Sequence, residues 1–377
     1  MSHCSDGPTS QGLQSDLWEG SSLGTEDSFH QIAPYVGKMK TSMASALIER
    51  YSQPGDVVLD PFAGCGVVPL EALLHGRHAV ANDLNPYAYT VTRAKLAGPP
   101  SLDEATRRAE AYLTAAESQA NLISLDDVPA WVRRFFHPDT LREALTLTAL
   151  LRAREEWFLL GCLLGILHHV RPGFLSYPAS HLTPYLREAK YPRHDYPEMY
   201  AYRDVRSRLL AKVRRAYRRH THPAAHLRRA VLVCDARSLD LPDASIDAVV
   251  SSPPYFDALD YGRDNRLRLW FLGVPNYKLL DPMMIASPGR YVEDMGAALR
   301  EIARVLKPGG CCALVLGEVR RDGRHHRTPE LLCHLATNEL GLFSYVETIH
   351  DEIPDIRRSR RRTHTTKADD VLVLRRV

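Results

Sequence analysis

Several features that would place a protein in an oxidising compartment or a membrane are missing from this sequence. Its seven cysteines are odd in number and form no Cys-x-x-Cys pair, which argues against a disulfide framework and a structural zinc site. The opening residues, MSHCSDGPTSQGLQSD, contain no apolar stretch of the kind found in signal peptides. The longest apolar run, at 157–167, is too short to span a bilayer. These absences predict a reduced, soluble, cytoplasmic protein with no membrane partner and no metal, with Cys311 and Cys312 in its core.

Bulk charge identifies no partner, because the net charge is only +3 and the sequence pI is about 8.4. The basic residues are nevertheless clustered at 206–220, 320–327 and 356–367. Arginine-rich segments neutralise phosphates and give salt-dependent binding to nucleic acids. We expect phosphate contact most strongly at 356–362, where five of seven residues are arginine. For the helical segment at 206–220, a solvated helix face is an equal alternative.

Alternating strand and helix patterns occupy two blocks, 29–97 and 229–377. Such alternation with strands buried on both faces predicts a parallel, doubly wound α/β sheet. The predicted strands are 55–60, 78–85, 230–236, 246–252, 311–319 and a final pair at 342–349 and 369–377. Between the blocks, 98–228 has helical periodicity and no convincing strand, which predicts a helical insertion in one domain. Residues 1–28 are rich in Ser, Gly, Asp and Gln and are predicted to be disordered.

Acidic residues and glycines are predicted at the carboxyl ends of three strands. Asp60 ends the first strand, Gly64 and Gly66 follow in the turn, and Asp83 and Asp235 end the second and third strands. The glycines allow a ligand to approach backbone N–H groups, but the spacing is that of neither a dinucleotide fingerprint nor a P-loop. A carboxylate at the end of the second strand can accept hydrogen bonds from ribose hydroxyls. Helix N-capping is the alternative for each aspartate, but three together favour a nucleoside ligand such as S-adenosylmethionine.

The segment SSPPY at 251–255 follows the fourth strand, and two prolines cannot continue a hydrogen-bonded ladder. The Ser252 hydroxyl and a carbonyl of Pro253 or Pro254 can accept the two hydrogens of an exocyclic amine. Tyr255 can stack on a base that has left the duplex. The segment therefore predicts a clamp for a flipped base, and the alternative is a structural turn with the tyrosine in the core.

With VLDPFAGCG, the segment SSPPY resembles the amino-methyltransferases that modify exocyclic nitrogens of nucleic-acid bases. The resemblance covers about 29–97 and 229–377 and implies a Rossmann-like S-adenosylmethionine-dependent methyltransferase sheet with a C-terminal antiparallel strand pair. The implied cofactor-binding residues are Tyr35, Lys38, Asp60, Phe62, Gly64, Gly66, Asp83, Asp235 and Ser251. The implied catalytic residues are Ser252, Pro253, Pro254 and Tyr255.

The resemblance also implies a substrate, because serine at position 252 occurs mostly in enzymes that methylate N4 of cytosine. DNA with a flipped target base is then the partner, at the nucleoid, and a cognate restriction endonuclease is compatible with the family. The insertion 98–228 is the candidate target-recognition region, where Tyr177, His181 and Tyr185 line the DNA approach or pack in the core.

Three alternatives stay open: adenine-N6 methylation of DNA, guanine-N2 or adenine-N6 methylation of RNA, and nucleic-acid binding with a degenerate cofactor site. Methylation at cytosine C5 is excluded, because that chemistry needs a cysteine nucleophile, usually after a proline. The chain has no Pro-Cys dipeptide and no cysteine near 251–255.

Overall fold

The protein is described here by a computed structural model that covers residues 18, 26–171, 173–180, 183–254, 261–285, 289–317, 319–321, 324–326, 328–352 and 368–377. The strands are β1 (Val57–Asp60), β2 (His78–Asn82), β3 (Arg229–Leu232), β4 (Ile246–Ser251), β5 (Leu306–Gly317), β6 (Val319–Arg321), β7 (Arg324–His326), β8 (Phe343–Glu352) and β9 (Ala368–Arg376). The α-helices are α1 (Thr41–Tyr51), α2 (Val67–Leu74), α3 (Pro86–Leu96), α4 (Leu102–Ala120), α5 (Ala130–Arg133), α6 (Pro138–Ala153), α7 (Trp157–Gly165), α8 (Val205–Ala216), α9 (Tyr261–Asp264), α10 (Arg266–Phe271), α11 (Tyr291–Val305) and α12 (Thr328–His334). Short 3-10 turns lie at Ser28–Gln31, Pro197–Tyr200, Tyr277–Leu279 and Asp281–Met283, and a π turn at Leu335–Glu339.

Seven of these strands form one mixed sheet in the order β3-β2-β1-β4-β5-β9-β8. The first five are parallel, and β9 pairs antiparallel with both β5 and β8. This confirms the predicted Rossmann-like α/β sheet and its C-terminal antiparallel pair. The chain order reverses between β1 and β4, which pair directly through Val58 and Ala248. Open α/β sheets bind ligands at the carboxyl ends of the strands beside such a reversal.

The central strands are buried on both faces, as parallel strands covered by helices must be. Val58, Leu59, Val249 and Val250 are each at most 1% exposed. In these strands the sequence consists of short continuous runs of β-branched and aliphatic residues, and such runs made the strands predictable. Cys311 and Cys312 lie in β5 and are both buried, which confirms their predicted place in the core.

Several predicted strand boundaries were wrong: β1 begins at Val57, not residue 55, and β3 ends at Leu232, not residue 236. Two further differences have local reasons. Strand β2 ends at Asn82 instead of residue 85, because Asn85 caps α3 by accepting a hydrogen bond from the Tyr87 N–H at 2.9 Å. Strand β5 begins at Leu306 instead of residue 311, directly after helix α11 ends at Val305. Proline disfavours helical backbone at the residue before it, so the Lys-Pro-Gly-Gly stretch leaves the helix.

The helices of the predicted insertion pack into the same hydrophobic core as the sheet. Helix α7 approaches the segment after the first 3-10 turn so closely that a Cβ on Gly165 would lie 2.1 Å from the Ile32 carbonyl oxygen. A Cβ on Gly161 would similarly lie 2.4 Å from the Ala94 Cβ in α3. The helices therefore support the sheet directly, and the division at 98 and 228 stays a prediction.

Most of the amino-terminal stretch that was predicted to be disordered lies outside the described residues. Trp18 is described and is 4% exposed, and its Nε1–H donates to Asp351 Oδ1 at 3.0 Å. Ser28 begins the first 3-10 turn, whose Phe29 is fully buried. The described part of this stretch is therefore packed against the domain.

Candidate active site

A cleft of about 820 Å³, including its open mouth, lies at the carboxyl ends of β1, β2 and β4. It brings together residues that are far apart in the chain, from the segment before α1 to the turn after β4. Nine of the thirteen residues predicted for the site line this cleft: Tyr35, Lys38, Asp60, Phe62, Gly64, Asp83, Asp235, Ser252 and Pro254. Residues predicted to bind a nucleoside and residues predicted to bind a base therefore line the same cleft.

Three of the other predicted residues do not line it, and the fourth is not among the described residues. Ser251 is fully buried behind the cleft, where its hydroxyl donates to Asp60 Oδ1 at 2.6 Å. Gly66 precedes α2 with a φ of +71°, and a Cβ there would lie 2.8 Å from Thr92 Oγ1. Gly66 therefore shapes the turn by its backbone conformation and its close packing against Thr92. Pro253 is buried in the turn, and Tyr255 lies outside the described residues.

Hydrogen bonds on both sides hold the loop after β1 in place. The Gly64 N–H donates to Asp83 Oδ2 at 2.8 Å, and the Gly64 carbonyl accepts from Thr92 Oγ1 at 3.1 Å. Gly64 has a φ of +50°, and a Cβ there would lie 3.2 Å from Cε1 of Tyr35. Glycine is therefore required both by the backbone conformation and by the tyrosine that closes over it.

Asp83 is the acidic residue that joins this loop to the start of α3. Its Oδ1 accepts from the Asn85 N–H at 2.8 Å while Oδ2 accepts from Gly64. Burial raises the pKa of Asp83 to about 6, although both backbone N–H donors oppose the rise. Each carboxylate oxygen has further acceptor capacity, so the side chain can hold the loop and still accept hydrogen bonds from a ligand.

Asp60 is the second buried acid of the cleft. Burial raises its pKa to about 7, and the charge of Asp83 adds to the rise, while hydrogen bonds from Ser251 and the Phe62 N–H oppose it. Asp60 is 3% exposed, and no cationic side chain among the described residues forms an ion pair with it. The floor of the cleft therefore carries two acids whose ionisation a positively charged ligand would favour.

Asp235 differs from the other two acids because it is already paired. Arg237 Nη2 contacts Asp235 Oδ2 at 2.6 Å, and Arg237 Nη1 contacts Asp294 Oδ1 in α11 at 2.6 Å. Burial opposes ionisation of Asp235, but the hydrogen bonds from Arg237 outweigh it and the pKa is lowered. Asp235 thus stays ionised and fixed in position at the rim of the cleft.

Sequence reasoning overlooked Asn82 and one wall of the cleft. Asn82 is buried at the end of β2, where its Nδ2 donates to the carbonyls of Pro61 and Cys234 at 3.1 and 3.0 Å. A polar residue closing a buried strand was the signal that could have identified it. The wall formed by Met283, Met284 and Ile285 follows α10 and carries no local signal, because only packing brings it to the cleft.

Other predicted features give further results. No cluster of three or more metal-ligating side chains occurs in the described part of the chain, and none of its helices is long and apolar enough to cross a membrane.

The basic segment 356–367 lies outside the described residues. Within 320–327, parts of β6 and β7 are described as a two-stranded ladder. Tyr177 is 4% exposed and Tyr185 is 52% exposed, while His181 is outside the described set.

Comparison with known proteins identifies the segment that carries the glycine loop. Residues 10–94 match the family model described as DNA methylase. We call residues 10–94, which resemble that family, the DNA methylase segment. The predicted resemblance to the amino-methyltransferases acting on DNA is thereby confirmed. The DNA methylase segment contains β1, the glycine loop, β2 and most of α3.

A curated relative agrees with this assignment over a similar length. The chain is 28% identical over 67 residues to the type II methyltransferase M.MjaII of Methanocaldococcus jannaschii. That match covers 18% of this chain and 13% of the relative, so the chain matches only a small part of the relative's length.

Solved structures resemble the chain over a greater length but less closely. TrmN from Thermus thermophilus shares 14% identity at a TM-score of 0.38, covering 93% of this chain and 52% of TrmN. A SAM-dependent methyltransferase from Methanosarcina mazei shares 13% identity at a TM-score of 0.38, covering 88% of this chain and 97% of that protein. Since both TM-scores are low, the fold assignment rests on the order and direction of the strands in this chain.

Proposed function

We propose that this protein is an S-adenosylmethionine-dependent DNA methyltransferase that methylates the N4 amine of cytosine after the base has left the duplex. The observation that carries the proposal is the single cleft in which the glycine loop and Asp83 of the DNA methylase segment face Ser252 and Pro254. Neither feature alone would support the proposal. A glycine loop indicates only that a ligand binds, and a Pro-Pro turn indicates only that a strand has a rigid end.

The residues of the cleft fit the proposed cofactor. Asp83 offers acceptor capacity for ribose hydroxyls beside the Gly64 backbone, and Asp60 offers a carboxyl without an ion-pair partner among the described residues. Their raised pKa values reflect negative charge that burial leaves uncompensated, and a sulfonium cation would compensate it. S-adenosylmethionine supplies an electrophilic methyl group when bound. Tyr35, which lies over Gly64, and Lys38 also line the cleft, where they would hold the amino-acid end.

The chemistry required of the protein is to orient a weak nucleophile. The lone pair of an exocyclic amine is delocalised into the base, so the nitrogen attacks only when both of its hydrogens are held by acceptors and it lies in line with the methyl group. The Ser252 hydroxyl accepts one N–H in this proposal, and a carbonyl of the Pro253–Pro254 turn accepts the other. Proline fixes φ, so these acceptors are preorganised before the base arrives.

Serine at position 252 is the reason to propose cytosine N4 as the target. In the resembled family, serine at this position accompanies cytosine and aspartate accompanies adenine. Nucleoside mass spectrometry on DNA and RNA from cells expressing the wild type or Ser252→Ala tests the choice. We expect N4-methylcytosine in the DNA of wild-type cells only. Finding N6-methyladenine instead would show that the target base is adenine. A new methylated base found only in RNA would show that the substrate is RNA.

The two buried acids predict a pH dependence that separates a cationic from a neutral ligand. Asp60 and Asp83, with pKa values of about 7 and 6, ionise as the pH rises from 5.5 to 8. A cation that lowers the pKa by about one unit gains roughly sevenfold in affinity over this range if it acts on Asp60 and roughly threefold if it acts on Asp83. We therefore expect calorimetry to show tighter S-adenosylmethionine binding at pH 8 than at pH 5.5. S-adenosylhomocysteine, which has no sulfonium charge, serves as the control. Equal pH dependence of the two ligands would contradict a role for these carboxyls beside the sulfonium.

A further inference from the structure

Helix α10 lies directly behind the cleft, at the carboxyl ends of the parallel strands. The Arg268 guanidinium of α10 lies 5.3 Å from the centroid of the Tyr87 ring, at the start of α3. Tyr87 in turn stacks on Tyr35 with a centroid separation of 6.0 Å, and Tyr35 lines the cleft. Two layers of side chains therefore separate α10 from the proposed active site.

Arg266, the first residue of α10, connects the helix to a segment of the predicted insertion. Its Nη2 donates to the Pro184 carbonyl at 2.9 Å, and its guanidinium lies 4.9 Å from the centroid of the Trp131 ring. Leu186 forms a β-bridge with Ala179, which holds the chain beyond Pro184 in place. The segment that begins at Pro184 is thus positioned by the helix behind the cleft.

This segment presents basic and aromatic side chains, of which Arg187 is half-buried and the others are exposed. We call them the tyrosine–arginine surface: Tyr185, Arg187, Lys190 and Arg193. Tyr185 is 52% exposed, and Lys190 and Arg193 are also exposed. No acidic side chain in the described part of the chain forms an ion pair with the three basic residues. Their charges are therefore available to a partner.

Arg193 is held in a defined position. Its guanidinium lies 4.6 Å from the centroid of the Tyr200 ring and 5.1 Å from that of Tyr177. Both tyrosines are buried, at 8% and 4% exposure. A guanidinium stacked on rings keeps its N–H groups free at the edge, and a planar fork of donors suits phosphate oxygens.

A second basic surface lies at the other end of the sheet and provides a comparison. Helix α8 and the residues after it expose Arg214, Arg215, Arg218 and Arg219. This end of α8 contacts the end of α3, because the Tyr217 hydroxyl donates to the Pro99 carbonyl at 2.6 Å. Helix α3 begins at the carboxyl ends of the strands, and its eleven residues extend about 16 Å away from them. The α8 arginines therefore face away from the cleft.

We propose that the tyrosine–arginine surface binds the backbone of duplex DNA beside the flipped base, with Lys190 and Arg193 on phosphates and Tyr185 against a sugar. The α8 arginines do not contact that DNA. This inference rests on the proposed function, because the cleft defines where the target base must lie. Both basic surfaces have exposed arginines, so the choice between them rests on their position relative to the cleft.

The test compares Lys190→Ser/Arg193→Ser with Arg214→Ser/Arg215→Ser, which removes the same number of charges at the opposite end. Fluorescence anisotropy with a duplex of about 30 base pairs gives the DNA affinity across a series of KCl concentrations. Each phosphate contact contributes about 0.9 to the slope of log affinity against log salt. For the first variant, we expect the slope of log affinity against log salt to be smaller in magnitude by about 2. By the same relation, its affinity for the duplex near 0.1 M salt should be roughly 10- to 50-fold weaker than that of the wild type. The second variant should match the wild type.

Two further measurements separate DNA contact from damage to the fold. Calorimetry with S-adenosylhomocysteine should give the same cofactor affinity for all three proteins. Lys190→Ser alone, which leaves the stack around Arg193 intact, should lower the magnitude of the slope by about 1. An unchanged slope in Lys190→Ser/Arg193→Ser, or an equal loss in both double variants, overturns the inference while leaving the proposed function intact. A wild type that binds cofactor but no DNA overturns the inference and the DNA substrate together.

Discussion

Ser252→Ala is expected to slow methyl transfer by roughly 10²- to 10³-fold, the loss typical when one preorganised polar group at a reacting centre is removed. The hydroxyl lies in the cleft at the start of the Pro-Pro turn, where the proposed mechanism assigns it one hydrogen of the target amine. Alanine leaves that N–H without an acceptor and the nitrogen without orientation. The measurement is single-turnover methylation of DNA with labelled cofactor, which isolates the chemical step.

The cofactor affinity of Ser252→Ala is expected to stay within about twofold of the wild type, because the side chain forms no described hydrogen bond to the glycine loop, which we propose binds the cofactor. Ser245→Ala is the matched control, since Ser245 directly precedes the same strand and its hydroxyl donates to the Pro242 carbonyl away from the cleft. Wild-type rates in Ser252→Ala would remove Ser252 from the mechanism. Equal losses of rate and of cofactor affinity would instead show that the turn only supports the fold.

Asp83→Ala is expected to weaken cofactor binding by about 1.5–3 kcal/mol, the range for hydrogen bonds to a charged group. The carboxylate accepts from the Gly64 N–H at 2.8 Å, and in the proposed function its remaining acceptor capacity binds the ribose. Alanine removes both, so the loop and the ligand each lose a partner. Calorimetric titration with S-adenosylhomocysteine at pH 8, where the carboxyl is ionised, measures the loss.

Asp83→Asn separates these two contributions. Its amide oxygen can still accept from the loop N–H, but the amide nitrogen can only donate, so the paired acceptors for a ribose are lost. We expect its affinity to lie between those of the wild type and Asp83→Ala. Unchanged affinity in Asp83→Ala would contradict the ribose assignment, and a loss confined to Asp83→Ala would show that the residue acts only by holding the loop.

Local sequence was sufficient for the fold class and for most of the cleft. The buried runs around Val58 and Val249 could only be strands covered on both faces, and the helical periods between them required a parallel sheet. Acidic residues and glycines directly after such strands must meet at one edge, because carboxyl ends of parallel strands align. The Pro-Pro turn had to end β4 for covalent reasons. These features depend on neighbours within a few residues, so they can be read from the chain.

Features that depend on distant segments could not be read in this way. Ser251 and Ser252 are adjacent and chemically identical, yet Ser251, the last residue of β4, is buried against Asp60, and Ser252, the first residue after the strand, opens into the cleft. The wall at Met283 reaches the cleft only through the packing of the chain after α10.

The two exposed basic surfaces show the same limit at a larger scale. Arg193 and Arg214 are both exposed arginines, but the first lies in the segment attached to α10 behind the cleft and the second near the far end of α3. Charge patterns along a chain specify which residues can meet a phosphate. The direction of each helix across the sheet specifies which of them lie on the same side as the reacting group, because that direction follows from contacts between residues far apart in sequence.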